Sequence, residues 1–337
     1  MRVRWTALAQ WETLLVFMFV LTLLIGSSVS PSFLTGENLS FASADLMEKG
    51  IMALGLTLVI IAGEIDLSVA SVAGLASAIL GATVDAGIPL GFAIAVALLA
   101  GALCGLFNGL LVARVRLPSL VVTLGTLALF RGLAYVILGD RAVSEFPQAF
   151  TDFGFDYVPG TLIPWTAVLF AGLAVAALVV LHLSWAGRQL YAIGNNQEAA
   201  RFSGIDVDRV KVRLFVLSGT LAAVAGVVFT ARFASARPDN LLGFELDVVT
   251  AVLLGGVSIF GGSGTLVGVV LGLFLIGALR NLLGLEDVGA DQQQIVIGAL
   301  LIVSVIGTNV LRDIQERATR RRLAGSSERP STQGGEG

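Results

Sequence analysis

Two acidic residues, Glu64 and Asp66, sit between long apolar runs, with Gly63 before them and Leu67-Ser68 after. At membrane depth an ionisable side chain is costly and is a functional candidate by default, as an ion carrier or as a ligand for a polar solute. At an interface the same residues act as a cap, since Asp66 and Ser68 can satisfy the free amides of a helix that opens at Leu67. Asn108, Thr123 and Thr126 offer hydrogen-bonding groups within apolar stretches, either to a passing solute or to a neighbouring helix. Arg131 lies within another apolar run and there needs an acidic or carbonyl partner. Glu64, Asp66, Ser68, Asn108, Thr123, Thr126 and Arg131 are the candidates for lining a polar path through the chain.

Other chemistries are poorly served. A P-loop needs Gly-Lys-Ser/Thr so that backbone amides and a lysine hold phosphates. Lys49 follows Glu48 and Lys211 follows Val210, so neither lysine completes that motif. Cys104 is the only cysteine, which excludes a disulfide within the chain or a thiolate metal site. His182 is the only histidine and ends an apolar run, as an interfacial side chain does. There is no HExxH, no spaced histidine pair and no nucleophile with an evident base. Neither a cofactor nor nucleic-acid binding is indicated.

The elements that position these residues follow from composition. Charged residues are 13% of the 337 and apolar ones 56%, against about 25% charged in a soluble domain. The apolar excess is gathered into runs near the ~20 residues that a bilayer requires. About ten transmembrane helices are expected, over 11–30, 45–63, 67–84, 89–112, 119–138, 163–183, 212–231, 248–261, 264–283 and 292–311. The stretch 248–261 is short for a crossing. The expected fold is all-α and integral to the membrane. Its parts are a cytoplasmic N-terminus at 1–10, a transmembrane domain at 11–311 and a basic, disordered cytoplasmic tail at 312–337. With ten spans and both ends inside, 15 of the 21 Lys and Arg fall on the cytoplasmic side, as the positive-inside rule requires. The outer loops 139–162 and 232–247 then carry Asp140, Arg141, Glu145, Asp152, Arg232, Arg237, Asp239 and Glu245 for docking.

Glycines recur at Gly101, Gly105, Gly109 and again at Gly264, Gly268, Gly272. Spacing by four puts small residues on one helix face and lets backbones approach. A weak internal echo pairs Gly63-Glu64-Ile65-Asp66-Leu67 with Gly243-Phe244-Glu245-Leu246-Asp247 about five spans later. An odd offset of spans would make this an inverted repeat.

The most informative polar stretch is the loop Tyr191-Ala192-Ile193-Gly194-Asn195 through Gly204-Ile205-Asp206. Asn195 or Asn196 can cap a short helix that starts near Gln197, and Gly204 can end it in a left-handed turn. Such a helix between two spans is either an ordinary connector or a docking element for a soluble partner. Glu198-Ala199-Ala200 followed by Gly204 resembles the EAA-type coupling motif of ATP-binding-cassette importer permeases, without its apolar-proline ending. The whole loop is similar to that of the ribose/galactose/xylose/rhamnose permease family. So are Gly63 through Val69, Leu117-Pro118-Ser119 through Arg131-Gly132-Leu133, and Leu254 through Gly262. Together they span about 35–311. Glu64 and Ala70 depart from the usual Gly-Gly-Ile-Asp-Leu-Ser-Val-Gly pattern.

The resemblance implies a type II importer-like permease subunit in the bacterial inner membrane, passing a monosaccharide such as ribose or rhamnose by alternating access. It also implies a cytoplasmic ATPase dimer, an extracytoplasmic sugar-binding protein, and a second permease copy or paralogue in the bilayer. Asn195, Glu198, Ala199, Ala200, Arg201, Gly204 and Asp206 would couple to the ATPase, and the chain itself would not be an enzyme. An alternative is an ion-coupled secondary transporter with Glu64 and Asp66 as carriers. An intramembrane enzyme is the weakest reading.

Overall fold

The computed structural model of the chain describes residues 2–303 and 306. Among these the regular structure is helical, and β-type pairing is limited to the isolated bridges Val143–Ala236 and Tyr157–Pro164. The helices are α1 (Arg2–Val29), α2 (Gly36–Ile61), α3 (Val69–Asp85), α4 (Leu90–Ala113), α5 (Ser119–Leu138), α6 (Gln148–Phe155) and α7 (Trp165–Leu178). A π-helical turn, Val179–Leu183, extends α7, and then come α8 (Trp185–Asn195), α9 (Gln197–Phe202), α10 (Val207–Phe233), α11 (Phe244–Leu254) and α12 (Leu266–Leu285). The last described helix is α13 (Ala290–Val303). The tail expected at 312–337 lies outside the described residues.

Local chemistry sets the boundaries. Prolines 89, 118, 147 and 164 stand directly before α4, α5, α6 and α7, where a fixed φ starts a helix without losing an internal hydrogen bond. Thr35, Ser184, Asn196, Asp206 and Thr265 cap α2, α8, α9, α10 and α12 through side-chain oxygens. Capping explains why α2 starts at Gly36 rather than near 45. Its first turns are polar, so hydropathy overlooks them.

Each of the ten runs read from the sequence overlaps a helix, yet among the described residues six helices are long and apolar enough to cross a membrane by themselves. These are α1 from Trp11, α4, α5, α7 with its π-helical turn, α10 and α12, while α3 and α13 are shorter. The run 248–261 is short, as its sequence indicates, and its bounds are corrected. It is the 11-residue helix α11, about 16 Å long at 1.5 Å per residue, followed by a glycine-rich turn. Gly255, Gly256, Gly261, Gly262 and Gly264 all fall in that turn, which helix propensity opposes.

α10 is the axis of the molecule and packs on α4, α2 and α3. The glycine stripe of α4 lies on it: a Cβ at Gly105 would come 2.1 Å from the Phe215 carbonyl oxygen, and one at Gly101 would come 2.5 Å from that of Gly219. The second stripe serves α11 and α12, where a Cβ at Gly268 would meet the Gly255 oxygen at 2.1 Å. Close backbone approach through small residues is how helices associate when lipid removes the usual hydrophobic drive. Large apolar side chains such as Phe17, Phe92, Val121 and Val136 point outward, as a lipid-facing surface requires.

Candidate functional site

Ser184 breaks the chain direction after the π-helical turn, and α8 then lies as an amphipathic helix. It buries Leu190 and Ile193 and exposes Trp185. Tyr191 donates its hydroxyl to the Gly264 carbonyl at 2.8 Å, and burial pushes the phenol up to about 12, which keeps it a neutral donor. Asn196 is extended, and its Oδ1 accepts the Ala199 amide at 3.0 Å, which starts α9. The turn after α9 needs a left-handed residue, and Gly204 supplies it with φ +83°. Asp206 then accepts the Arg209 amide at 3.0 Å and opens α10. On α9, Glu198, Ala199, Arg201 and Phe202 are exposed while Ala200 is buried. Arg201 is paired with Asp208 on the next helix, and this hydrogen bond raises the guanidinium pKa further. Phe202 is 94% exposed.

Beneath α9 three backbone segments meet at glycines. A Cβ at Gly194 would lie 1.9 Å from the Ile61 oxygen and 2.4 Å from the Gly262 nitrogen. A Cβ at Gly261 would lie 2.7 Å from the Cα of Gly63. Gly63, Gly261 and Gly262 all have positive φ, so only glycine meets both demands. Hydrogen bonds tie the knot: Gly262 N donates to the Ile61 oxygen at 2.8 Å, and Asn195 Nδ2 donates to the Gly262 oxygen at 3.2 Å. The end of α2, the end of α8 and the α11–α12 turn therefore form one junction.

A buried ion pair lies beside it. Lys211 Nζ is 2.5 Å from Glu64 Oε1 and donates to Gln197 Oε1 at 2.9 Å. The chain then turns inward through residues 64–68. Asp66 is buried among neutral donors: Ser68 N at 3.0 Å and Ser68 Oγ at 2.6 Å to Oδ1, and Ser218 Oγ at 2.9 Å to Oδ2. Asn108 Nδ2 donates to Ser68 Oγ at 2.9 Å, so the α2–α3 connection, α4 and α10 share one polar network. Asn108 Oδ1 is buried with no hydrogen-bond partner.

Residues 38–305 match the family described as branched-chain amino acid transport system / permease component. The chain belongs to this family. Its relatives include the autoinducer 2 import system permease protein LsrD of Escherichia coli strain K12 and of Shigella flexneri. Each is 37% identical over 306 residues, covering 89% of this chain and 92% of the relative. No solved structure matches. The resemblance to sugar-import permeases of the ATP-binding-cassette type, drawn from the four motif stretches, holds at family level. The chain is thus a multi-pass membrane permease of a family whose members are transport subunits rather than enzymes.

In this permease the residues singled out from the sequence fall into separate groups. Asp66, Ser68 and Asn108 come together while Glu64 pairs with Lys211, and Thr123 and Thr126 on α5 are buried and turned back on backbone. Thr123 Oγ1 donates to the oxygens of Ser119 at 2.9 Å and Ile65 at 3.2 Å, and Thr126 Oγ1 donates to that of Thr123 at 3.4 Å. Arg131 binds the carbonyls of Pro238 and Asn240 at 2.7 and 2.8 Å and that of Ala70 at 3.3 Å. It fastens the segment after α10 to α3 and α5. His182 Nε2 accepts the Leu266 amide at 3.4 Å.

Arg232 is corrected. It is not in an outer loop available for docking but is buried near the end of α10, 2.8 Å from Glu48 Oε1 and 2.8 Å from Asp45 Oδ1. Close by, Asp247 holds Lys49 at 3.5 Å and Arg280 at 2.5 Å. Lys49 and Glu64 lie on α2 and just beyond its end, so Asp247 and Glu64 of the two echoed motifs sit at opposite ends of the bundle, about 22 Å apart along the helix.

Sequence reading overlooked Lys211, Gln197, Ser218 and Phe202. Lys211 falls in the basic block Arg209-Val210-Lys211-Val212-Arg213, which resembles ordinary positive-inside charge. The available signal was that it is one of two lysines.

Proposed function

We propose that this chain is the membrane-spanning subunit of an ATP-driven importer for a small sugar-like solute, with autoinducer 2 as the first candidate substrate. The α9 end faces the cytoplasm, both termini lie on that side, and α9 is the docking element for a separate ATPase. One observation carries the reading. A short, exposed, doubly capped helix, bearing the Glu198-Ala199-Ala200…Gly204 motif, rests on a glycine junction joining two chain reversals of the bundle. Force applied to α9 reaches the packed helices without an intervening flexible linker. Two permease chains, identical or paralogous, enclose the pathway, two ATPases bind the inner face, and an outer binding protein delivers the solute. Alternating access is then a rigid-body rearrangement of one bundle against the other.

The ion-coupled alternative finds less support, because Glu64 is held by Lys211 at 2.5 Å and the relatives are import-system permeases. The test is reconstitution in vesicles. With a co-purifying P-loop ATPase and its binding protein, ATP should drive autoinducer 2 accumulation that an uncoupler does not abolish. Accumulation by the permease alone, without nucleotide, would overturn the reading.

A further inference from the structure

Steric contact transmits a push but not a pull. The glycine junction lets α8 and α9 press on the end of α2, and what returns the inward-turning segment 62–68 when α9 retreats must be an attractive bond. Asn195 Nδ2 supplies one to Gly262, whose amide in turn bonds the Ile61 carbonyl, so this path holds the end of α2 just before the segment. On the other side, the side-chain connection from α9 to segment 62–68 runs Gln197 Oε1–Lys211 Nζ–Glu64 Oε1, at 2.9 and 2.5 Å, with Lys211 and Glu64 both buried. Lys211 is itself on α10, one turn inside its start. Two residues beyond Glu64, Asp66 reaches back to the same helix through Ser218. Segment 62–68 is thus held to α10 through Lys211 and Ser218, to α5 through Ile65 and to α4 through Ser68, while its side-chain tie to α9 passes through a single ammonium group.

We infer that Lys211 is a positioning residue for transport: the Gln197–Lys211–Glu64 tie makes segment 62–68, with Asp66 and the Ser68–Asn108 contact to α4, follow the ATPase-driven movement of α9. The tie has the chemistry for this. Three donor hydrogens on one ammonium can hold a carboxylate and an amide oxygen together, and shielding from water strengthens the ion pair. The inference rests on the proposed ATP-driven import.

The test uses the complete assembly with its co-purifying ATPase and binding protein in proteoliposomes, and reads autoinducer 2 accumulated per ATP hydrolysed. This ratio does not depend on how much complex is folded, so a merely structural role leaves it unmoved. The double variant Glu64→Gln/Lys211→Met removes the pair without stranding a buried charge. Its ratio should fall about tenfold, within the range of typical coupling between sites, whereas Lys211→Arg, which keeps both bonds, should retain it. A wild-type ratio in the double variant overturns the inference. Should that variant fail to reach the membrane, Gln197→Leu decides by the same ratio, since it cuts only the α9 side and leaves the ion pair whole. If the wild-type assembly itself accumulates nothing with ATP, the import reading fails and the tie falls with it.

Discussion

Gly194 approaches Ile61 so closely that a Cβ on the glycine would lie 1.9 Å from the Ile61 carbonyl oxygen. The obstacle is backbone on both sides, so it cannot rotate away, and Gly194→Ala must separate α8 from the end of α2. Overpacking of this kind costs about 1–3 kcal/mol, and the upper end is expected here. Gly204→Ala meets no atom within 4 Å and suffers only from its positive φ, a strain of about 1–2 kcal/mol. Thermal unfolding of the solubilised permease should rank Gly194→Ala below Gly204→Ala. The reverse order would show that the junction is loose.

A second expectation concerns the charge cluster between the middle of α2 and the end of α10. Arg232 bridges Glu48 and Asp45, and Glu48 is fully buried. Arg232→Met leaves a buried carboxylate without its partner, which costs about 3–5 kcal/mol. Adding Glu48→Gln should return part of that loss. By contrast, Arg237 pairs with Asp239 at an exposed site, and such pairs are worth about 0–1 kcal/mol. Thermal unfolding of Arg232→Met, the Arg232→Met/Glu48→Gln pair and Arg237→Ala would check all three, and equal effects for the two arginines would refute the buried-cluster account.

These two cases show what the sequence could and could not disclose. The glycine stripe on α4 and the pair Gly268 and Gly272 on α12 were readable because helical spacing by four is a one-dimensional pattern, whereas Gly264 lies in the turn before α12. The cap at Asn196 and the stop at Gly204 were readable because both act within a few residues. Arg232 was misplaced because hydropathy sees a charge and ends the span, whereas the fold supplies Glu48, 184 positions away in the chain. Lys211 was missed for the same reason, since its partner Glu64 lies on another element. The run at 248–261 was recognisably short for a crossing, but its bounds were drawn too far along because the apolar run continues through Gly255-Gly256-Val257, where the backbone has already turned.

Asp66 offers a third expectation. Its hydrogen-bond donors are Ser68 N, Ser68 Oγ and Ser218 Oγ, and a serine hydroxyl can accept as well as donate. Asp66→Asn can keep its Oδ1 on the two Ser68 donors and give an amide hydrogen to Ser218. Its stability should stay within about 1 kcal/mol of wild type. Asp66→Leu leaves the buried Ser68 amide and the hydroxyls unmet, a loss of about 1–3 kcal/mol for each stranded group. Unfolding curves that place Asn with Leu would indicate that the negative charge itself, rather than the hydrogen bonds, holds the segment.

Glu198 is exposed at the first turn of α9, and its substitution tests the docking role without touching the core. Glu198→Arg puts a positive charge at a helix N-terminus, a penalty of about 0.3–1 kcal/mol, too small to unfold the permease. On the proposed import function, ATP-driven uptake should nevertheless fall sharply while solute binding by the outer binding protein persists. Undiminished uptake would remove α9 from the coupling role.

Phe202 provides the sharpest contrast between stability and association. A phenyl ring at 94% exposure contributes little to the fold, so Phe202→Asp should leave the unfolding temperature of the isolated permease nearly unchanged. If α9 docks the ATPase as proposed, the same ring is placed to act as an anchor, because buried aromatic residues dominate interface energies, at about 2 kcal/mol or more each. Phe202→Asp should therefore weaken capture of the ATPase by more than tenfold, given that about 1.4 kcal/mol corresponds to one decade in affinity. The comparison is internally controlled: Leu183, also exposed but at the end of the π-helical turn before α8, should tolerate Leu183→Asp with no loss of ATPase capture. If both substitutions weaken capture equally, the docking surface extends well beyond α9; if neither does, the ATPase binds elsewhere.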